Sequence, residues 1–214
     1  GRQAQDVALA RGYKVDLISA NRDYIAAEEA ARRFLPATVV MADESAAAEL
    51  KVRLSDTDIK VLSGSSAICE SIRDSSADTV VNSILGEAGL APTIATLESG
   101  KRLALANKES LVIAGEIVMK LANEKNAEII PVDSEHSAIF QSLKSGRHSE
   151  IRRIILTASG GPFFGKSRAE LSAVTLADTL AHPTWKMGKK ITVDSATLMN
   201  KGFEIIEAAH LFSV

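Results

Sequence analysis

Short apolar stretches alternate with amphipathic stretches through most of the first 133 residues. The stretch "YKVDLISA" (13–20) is typical of a buried strand, and "DYIAAEEAARRFL" (23–35) is typical of a helix that ends before Pro36. The same alternation predicts further strands at 37–43, 59–64, 77–86, 101–108 and 127–133, and further helices at 44–55, 65–73, 90–100 and 110–126. Strands and helices that alternate at this spacing form parallel sheets with right-handed connections. We therefore predict an α/β fold with a Rossmann-like parallel sheet and helices on both faces.

The pattern changes after residue 132, where we predict a domain boundary. The later residues predict a helix (137–145), a long strand that runs into a glycine turn (150–163), a polar segment, an apolar stretch (190–196) and a helix (197–212). We interpret 1–132 as the sheet domain and 133–214 as a smaller α+β domain. Because the chain opens in a helix-like segment at Gly1 and stops as a helix ends, we expect an excerpt of a longer protein.

Composition excludes several classes of function. The net charge of −2 provides no field that would attract nucleic acid or a membrane surface, and no apolar run approaches the length of a membrane span. The single cysteine, Cys69, excludes an intrachain disulfide and a cysteine-rich metal site, and it suits a reducing compartment. The length, charge and composition are typical of a folded protein large enough to be an enzyme.

Two acidic residues in "PVDSEHSAIFQ" (131–141) follow a predicted buried strand. Residues i and i+2 of a strand point to the same side, so Asp133 and Glu135 can converge at its carboxyl end. That end is where open α/β sheets bind ligands, and paired carboxylates suit Mg²⁺ or Mn²⁺. An isolated Asp-x-Glu is also common in solvated loops, so the motif alone leaves both interpretations open.

The predicted helix at 197–212 carries two different faces. Its apolar stripe consists of Leu198, Ile205, Ala209 and Phe212. The opposite face carries Asn200, Glu204 and Glu207, with Lys201 beside them. One interpretation is a helix with its apolar stripe in the core and its polar face in water. The other makes Glu204 a third metal ligand and gives anion contacts to Asn200 and Lys201.

Two later segments suit a phosphorylated ligand. The stretch "LTASGGPF" (156–163) offers backbone N–H groups at its glycines and the hydroxyl of Ser159, although an ordinary turn has the same sequence. Lysines near Ser195 form a small basic patch: Lys186, Lys189 and Lys190. A loop between these segments could close over a ligand, or its tryptophan could fill a local core; it contains His182, Pro183, Trp185, Met187 and Gly188.

Polar residues also follow strands in the first part of the chain. In "LALANKESLV" (103–112), Asn107, Lys108 and Glu109 lie where a strand passes into a helix, which places them either at a ligand crevice or at a helix cap. Lys108 is a candidate for polarising a substrate oxygen. Arg22 could bind the 2′-phosphate of NADP. We expect His136 and His210 to be structural.

The order of four segments, "ANKESLV", "PVDSEHSAIFQ", "LTASGGPF" and "HPTWKMGKKITVDSATLMNKGFEIIEA", resembles the 1-deoxy-D-xylulose 5-phosphate reductoisomerase family. The resemblance covers essentially the whole chain and implies an NADPH-binding domain over 1–132 and a metal- and substrate-binding catalytic domain over 133–214. It implies conversion of 1-deoxy-D-xylulose 5-phosphate to 2-C-methyl-D-erythritol 4-phosphate in non-mevalonate isoprenoid biosynthesis, with NADPH and Mg²⁺ or Mn²⁺. It further implies a homodimer in a bacterial cytoplasm or a plastid.

The resemblance assigns roles to individual residues. The metal ligands would be Asp133, Glu135 and Glu204, which with Lys108 form the catalytic group. The remaining substrate contacts would be Ser134, Ser159, His182, Trp185, Met187, Ser195, Asn200 and Lys201, with Trp185 and Met187 in a mobile lid. The NADPH contacts would be Ala20, Asn21, Arg22, Ser83, Ile84, Asn107, Lys108, Glu109 and Gly188. Residues 20–22 read Ala-Asn-Arg where the family often has Gly-x-Asn, so the contacts to the 2′-phosphate depart from the family pattern there.

Two other functions remain open from the sequence. A related NADP-dependent dehydrogenase could act on another phosphosugar with the same site, and a non-catalytic nucleotide-binding fragment could retain the fold alone. The family's opening strand, most of its glycine-rich phosphate loop and its C-terminal helical domain do not occur in these 214 residues. We therefore expect the excerpt alone to bind NADPH weakly and to turn over little substrate.

Overall fold

Six parallel strands form two sheets in the computed structural model, which describes residues 1–183 and 188–213. The strands are β1 (Leu17–Ala20), β2 (Thr38–Met41), β3 (Lys60–Ser63), β4 (Thr79–Asn82), β5 (Arg102–Leu105) and β6 (Ile129–Pro131). One sheet has the order β1-β2-β3 and the other β4-β5-β6, and each neighbouring pair is parallel. The prediction of an α/β fold built on parallel strands is confirmed.

A helix follows each strand, and further helices lie in the later part of the described chain. They are α1 (Arg2–Arg11), α2 (Tyr24–Phe34), α3 (Glu44–Arg53), α4 (Ser65–Asp74), α5 (Leu90–Glu98), α6 (Glu109–Lys125), α7 (Ser134–Leu143), α8 (Arg168–Leu171), α9 (Leu176–Leu180), α10 (Lys189–Ala196) and α11 (Met199–Phe212). Asp23 and Asp43 cap α2 and α3, because their carboxylates accept hydrogen bonds from the backbone N–H groups of Ala26 and Ala46. Within the described ranges, none of these helices combines the length and hydrophobicity that a membrane crossing requires.

Alternate residues of β2 pack against different helices. Val39 and Met41 lie in a core with Ala31 of α2 and Leu50 of α3. Val40 points to the other face, where it packs with Ile68 and Ile72 of α4 and Ala95 of α5. Helices therefore cover both faces of this sheet, as the alternation of the sequence predicts.

A separate core lies beside the second sheet and carries the elements of the candidate site. Leu103 and Leu105 of β5 pack with Leu111 and Val118 of α6, and Leu211 of α11 contacts the same cluster. The second sheet therefore holds α6 and α11 together.

The strand predicted over 150–163 was wrong. Residues 151–160 have no regular secondary structure, and Ile155 is exposed. A strand needs a neighbour to satisfy its N–H and C=O groups, and no other described segment pairs with this one. The apolar stretch at 190–196 belongs to helix α10.

Candidate metal and substrate site

The candidate site begins at the carboxyl ends of two neighbouring strands. Strands β5 and β6 are parallel and pair Leu105 with Pro131. The chain continues from β5 to Lys108 and from β6 to Asp133, so both side chains emerge at the same edge of the sheet. The Lys108 Nζ atom lies 3.3 Å from the Asp133 Oδ2 atom.

Helix α11 brings a third carboxylate to this edge. Asp133, Glu135 and Glu204 each offer one carboxylate oxygen, and these oxygens all lie within 4.8 Å of one another. Glu204 is 1% exposed, whereas Asp133 and Glu135 are partly exposed. Three converging carboxylate oxygens with one open side are a donor set that suits Mg²⁺ or Mn²⁺ and lacks the nitrogen and sulfur ligands typical of Zn²⁺.

Two lysines supply positive charge among these carboxylates. Lys108 donates hydrogen bonds to Asp133, Asn200 and Glu204. Lys201 donates to Glu135, to Glu204 and to the backbone carbonyl of Thr157. Three carboxylates share two ammonium groups, so the cluster keeps an excess of negative charge that favours a further cation.

The surroundings favour the charged forms of Lys108 and Glu135. Burial disfavours the Lys108 ammonium, but the carboxylates of Asp133 and Glu204 outweigh it and raise the pKa of Lys108 above its ordinary value. Burial also disfavours the Glu135 carboxylate, but hydrogen bonds from Ser134 and Lys201 lower the pKa of Glu135. The Ser134 Oγ atom donates to the Glu135 Oε2 atom at 2.6 Å.

A buried histidine and a buried glutamate lie behind the three carboxylates. His136 is fully buried, and its Nε2 atom lies 2.9 Å from the backbone oxygen of Glu204. Its Nδ1 atom lies 3.5 Å from Asp133 Oδ1 and 3.9 Å from Glu207 Oε2. Burial raises the pKa of Glu207 to about 8, although the nearby Lys108 opposes the shift. Within the described part of the chain, neither His136 Nδ1 nor Glu207 Oε2 has a hydrogen-bond partner.

Sequence reasoning assigned no role to this inner pair of side chains. His136 was expected to be structural, and Glu207 was only grouped with Glu204 on the polar face of a helix. The available signal was the position of Glu207 one helical turn after Glu204, which places both on the same side of α11.

The polar face of α11 points inward, so the interpretation of a helix with its apolar stripe in the core was wrong for Leu198, Ile205 and Ala209, whereas Phe212 of that stripe is buried. Glu204 and Glu207 are 1% and 4% exposed, whereas Leu198 and Ile205 are 52% and 60% exposed. Burying carboxylates is costly unless they are paired, and Lys108 and Lys201 provide that pairing for Glu204. The charge pairing across three elements decides the orientation of α11.

Three of the five residues predicted to hold a phosphate, Ser159, His182 and Ser195, lie near one another at the end of α10. Ser159 Oγ lies 3.2 Å from His182 Nε2 and accepts a hydrogen bond from the Gly161 N–H. A Cβ atom at Gly161 would lie 2.7 Å from the backbone oxygen of Ser195, so only glycine permits this close approach. Lys201 and Asn200 are bound to the carboxylate cluster instead.

The predicted nucleotide contacts follow the ends of other strands. Ala20 ends β1, with Asn21 and Arg22 after it, and Ser83 and Ile84 follow β4. Arg22 is 80% exposed in its side chain and pairs with Asp43 at 3.0 Å.

Asn107 and Glu109 connect the loop after β4 to α6 and α10. The Asn107 side chain donates to the carbonyls of Ile84 and Gly86, and it accepts from the N–H of Ser110 at the start of α6. It therefore acts as a helix cap and also fixes the loop after β4. Glu109 pairs with Lys190 at 2.9 Å. Burial acts to raise the pKa of Glu109, but the hydrogen bond from Lys190 and its positive charge outweigh burial, so the pKa lies below its ordinary value.

Gly188 and Lys190 lie at the start of α10. Gly188 directly precedes α10, and Lys190 is paired with Glu109 and Asp194, so the basic patch is partly neutralised. Trp185 and Met187, predicted for the lid, and Lys186 lie outside the described residues.

Comparison with known proteins gives two family matches. Residues 1–115 match the family model described as 1-deoxy-D-xylulose 5-phosphate reductoisomerase, and residues 129–212 match the model of its C-terminal domain. A protein named 1-deoxy-D-xylulose 5-phosphate reductoisomerase from Lachnospira eligens is 48% identical over 97% of this chain and 52% of its own length. A protein of the same name from Ruminiclostridium cellulolyticum is 49% identical over 99% of the chain and 56% of its own length. The chain thus spans about half the length of the curated relatives it matches.

Solved structures show the same similarity. The Zymomonas mobilis enzyme of that name in complex with NADPH is 41% identical and superimposes with a TM-score of 0.92, over 100% of this chain and 55% of that one. A structure described as DOX-P reductoisomerase in complex with NADPH, fosmidomycin and magnesium is 36% identical, with a TM-score of 0.89 over 100% of this chain and 56% of that one.

Proposed function

The chain belongs to the 1-deoxy-D-xylulose 5-phosphate reductoisomerase family, and on this basis we propose that it carries the metal and substrate site of such an enzyme. The reaction is the NADPH-dependent isomerisation and reduction of 1-deoxy-D-xylulose 5-phosphate to 2-C-methyl-D-erythritol 4-phosphate. The observation that carries the proposal is the convergence of the Asp133, Glu135 and Glu204 carboxylates at the carboxyl edge of a parallel sheet.

Asp133, Glu135 and Glu204 would hold Mg²⁺ or Mn²⁺. The fit rests on the donor set, which consists of carboxylate oxygens with an excess of negative charge over the two lysines. When bound, the ion supplies Lewis-acid polarisation of the substrate carbonyl. The buried position of Glu204 excludes water from one side of the site.

Lys108 and Ser134 would bind the reacting end of the substrate. Lys108 stays protonated because two carboxylates raise its pKa, so its ammonium can donate a hydrogen bond to a substrate oxygen. Ser134 is the first residue of α7, between Asp133 and Glu135, and its hydroxyl donates a hydrogen bond to Glu135. These donors would orient the carbonyl and its neighbouring hydroxyl.

Five residues would bind the phosphate end: Ser159, His182, Ser195, Asn200 and Lys201. The close approach of the 159–161 turn to Ser195 supports this assignment for the first three. Contacts remote from the reacting carbons provide binding energy that orients the substrate for the chemical step. We propose that Trp185 and Met187 cover this end of the substrate.

NADPH would lie along the carboxyl ends of β1, β4 and β5. The loops at these ends contain the proposed contacts: Ala20, Asn21, Arg22, Ser83, Ile84, Asn107, Lys108 and Glu109, with Gly188 opposite. The cofactor carries the hydride, and the chain positions the cofactor.

We also propose the division into domains 1–132 and 133–214 and a homodimer. We propose a bacterial cytoplasm as the location, since the relatives named above are bacterial proteins.

The natural protein that contains this chain should oxidise NADPH in the presence of 1-deoxy-D-xylulose 5-phosphate and Mn²⁺, and NMR should identify the product. Chelation with EDTA should stop the reaction, and added Mn²⁺ should restore it. Oxidation of NADPH with other phosphosugars but not with this substrate would favour a related dehydrogenase. Binding of NADPH without any turnover or metal dependence would contradict the proposal.

A further inference from the structure

Helices α6 and α11 touch at a glycine that lies under a histidine ring. Gly115 of α6 is buried, and a Cβ atom placed on it would lie 2.2 Å from Cδ2, 2.4 Å from Nε2 and 2.5 Å from Cγ of His210 in α11. These distances are far shorter than a carbon–carbon contact, so the ring occupies the space that any other residue at position 115 would need. Neither residue belongs to the carboxylate cluster.

The backbone of α6 changes direction at the same point. Ala114, directly before Gly115, has φ −140° and ψ 31°, which are not helical values. Kinks in helices have local causes, and here the histidine ring packs against the turn that contains the break. The glycine and the break together allow the two helix backbones to approach each other.

The same two helices also meet at the candidate metal site. Lys108 is the N-cap of α6 and donates hydrogen bonds to Asn200 and Glu204 of α11. Gly115 lies about two helical turns beyond Lys108, and His210 lies about two turns beyond Glu204. The helices therefore run side by side in the same direction and are in contact at both points.

We infer that Gly115 and His210 are positioning residues that set where α11 lies against α6, and so hold the Glu204 carboxylate toward Asp133 and Glu135. The inference rests on the proposed metal site. Leu211, next to His210, packs with Leu111 and Val118, so this end of α11 is anchored in the core of the second sheet. A displacement there is transmitted along the helix, because helices in packed interiors move as rigid elements.

A single methyl group at position 115 would disturb this arrangement. Rotation about χ2 of His210 moves Cδ2 and Nε2 but leaves Cγ in place, so it cannot relieve the contact at 2.5 Å. Relief requires a different χ1 rotamer or a shift of α11. Mg²⁺ and Mn²⁺ sites have short, narrowly defined ligand distances, so a shift of about 1 Å at Glu204 is enough to weaken metal binding.

The test is a double-mutant cycle with Mn²⁺ as the probe. Binding of Mn²⁺ to the 214-residue chain and to the natural protein that contains it is followed from the electron paramagnetic resonance of the free ion. We expect Gly115→Ala to weaken Mn²⁺ binding about tenfold or more, within the range measured for residues that orient metal ligands. His210→Ala should weaken it about threefold, because it loosens the contact but adds no bulk. In the double variant the affinity should return to the His210→Ala value, because the added methyl then has room.

Two controls separate positioning from loss of stability. Glu116→Ala changes the neighbouring exposed residue of α6 and should leave Mn²⁺ affinity unchanged within about twofold. Val39→Ala removes buried volume from the first sheet, which has its own core, so it should lower the melting temperature without weakening Mn²⁺ binding.

Each outcome decides a different statement. If the unchanged protein does not bind Mn²⁺, the proposed metal site is wrong and the inference about α11 is lost with it. If the unchanged protein binds Mn²⁺ and Gly115→Ala binds it equally well, the inference is overturned and the proposed function stands. If Gly115→Ala does not fold, the double variant decides, since folding with restored affinity supports the inference and folding with weak affinity overturns it. If neither folds, unchanged Mn²⁺ affinity in His210→Ala overturns it.

Discussion

Two ionic networks in this chain have similar distances and different surroundings. Beside the first sheet, Arg32 pairs with Glu28 at 3.0 Å and with Asp56 at 2.9 Å, and Arg53 also pairs with Glu28. Beside the second sheet, Lys108 and Lys201 pair with the three carboxylates at similar distances. The Asp56 side chain is 63% exposed, whereas that of Glu204 is 1% exposed.

The comparison shows which network indicates function. In the first network two arginines face two acids, and all of these side chains except Glu28 are more than a third exposed to water, where ion pairs contribute little to stability. In the second network acids outnumber lysines, and Glu204 is buried while Asp133 and Glu135 are only partly exposed; the ion pairs of such an arrangement do not fully offset its desolvation cost. A protein keeps an excess of buried negative charge when a bound cation neutralises it. Burial and an unequal number of acids and bases therefore indicate a functional site more clearly than ion-pair distance does.

The largest effect that this comparison predicts is on metal binding after Glu204→Gln. The amide keeps the shape of the side chain but removes a negative charge at the most buried ligand position, so Mn²⁺ should bind about 100-fold more weakly or worse. Glu128→Gln, which removes an exposed carboxylate paired with Arg102, is the matched control and should leave the affinity unchanged. Retention of wild-type Mn²⁺ affinity by Glu204→Gln would remove Glu204 from the ligand set.

Lys201→Ala should act on the substrate more than on the metal. Loss of a charge-assisted hydrogen bond to the phosphate should raise the KM for 1-deoxy-D-xylulose 5-phosphate about tenfold or more. Mn²⁺ affinity should stay the same or increase, because Lys201 competes with the ion for Glu135 and Glu204. Lys51→Ala, at an exposed lysine of α3 beside the first sheet, is the control and should leave the KM unchanged; steady-state kinetics measure both. An unchanged KM would contradict the phosphate contact.

The buried Glu207 predicts a pH dependence of stability opposite in sign to that of the first network, where the pKa values of Glu28 and Asp56 are lowered. Its pKa rises from an ordinary value of 4.5 to about 8 on folding, mainly through burial, so the folded state binds its proton more tightly than the unfolded state. The proton on Glu207 therefore stabilises the folded state fully below about pH 4.5, and this stabilisation is lost as the pH rises toward about 8. Over that interval the free energy of unfolding should fall by up to about 1.4 kcal/mol per pH unit.

Urea unfolding of the metal-free protein between these pH values measures the effect. Glu207→Gln carries no titrating group and should flatten the curve over this interval, whereas Glu28→Gln in the exposed network should leave its slope unchanged. A wild-type stability that increases steadily between pH 5 and pH 8 would show that Glu207 is not protonated in the folded protein.

The contrast between the networks also explains how much the sequence could predict. The positions of Lys108 and Asp133 followed from strand ends, because neighbouring parallel strands place their carboxyl ends at one edge. The orientation of α11 could not be predicted from its own periodicity. The apolar stripe with Ile205 looked like a core face, yet Ile205 is exposed, and the buried Glu204 of the opposite face pairs with Lys108 from another segment. The false strand over 150–163 has the same origin, since local apolar character does not specify a pairing partner.

The smallest effect is expected at the exposed network itself. Arg32→Gln removes contacts to Glu28, Asp56 and the Arg53 carbonyl, but water replaces them at these solvated positions. The melting temperature should therefore fall by no more than about 2 °C, and Mn²⁺ affinity should not change. Differential scanning calorimetry at low and high salt measures the shift, which should shrink further when salt screens the remaining charges. A fall in melting temperature of 8 °C or more would be of the order expected for a core mutation. It would mean that an exposed ion pair with a short distance contributes as much to stability as buried packing does. Burial and unbalanced charge would then not distinguish the two networks.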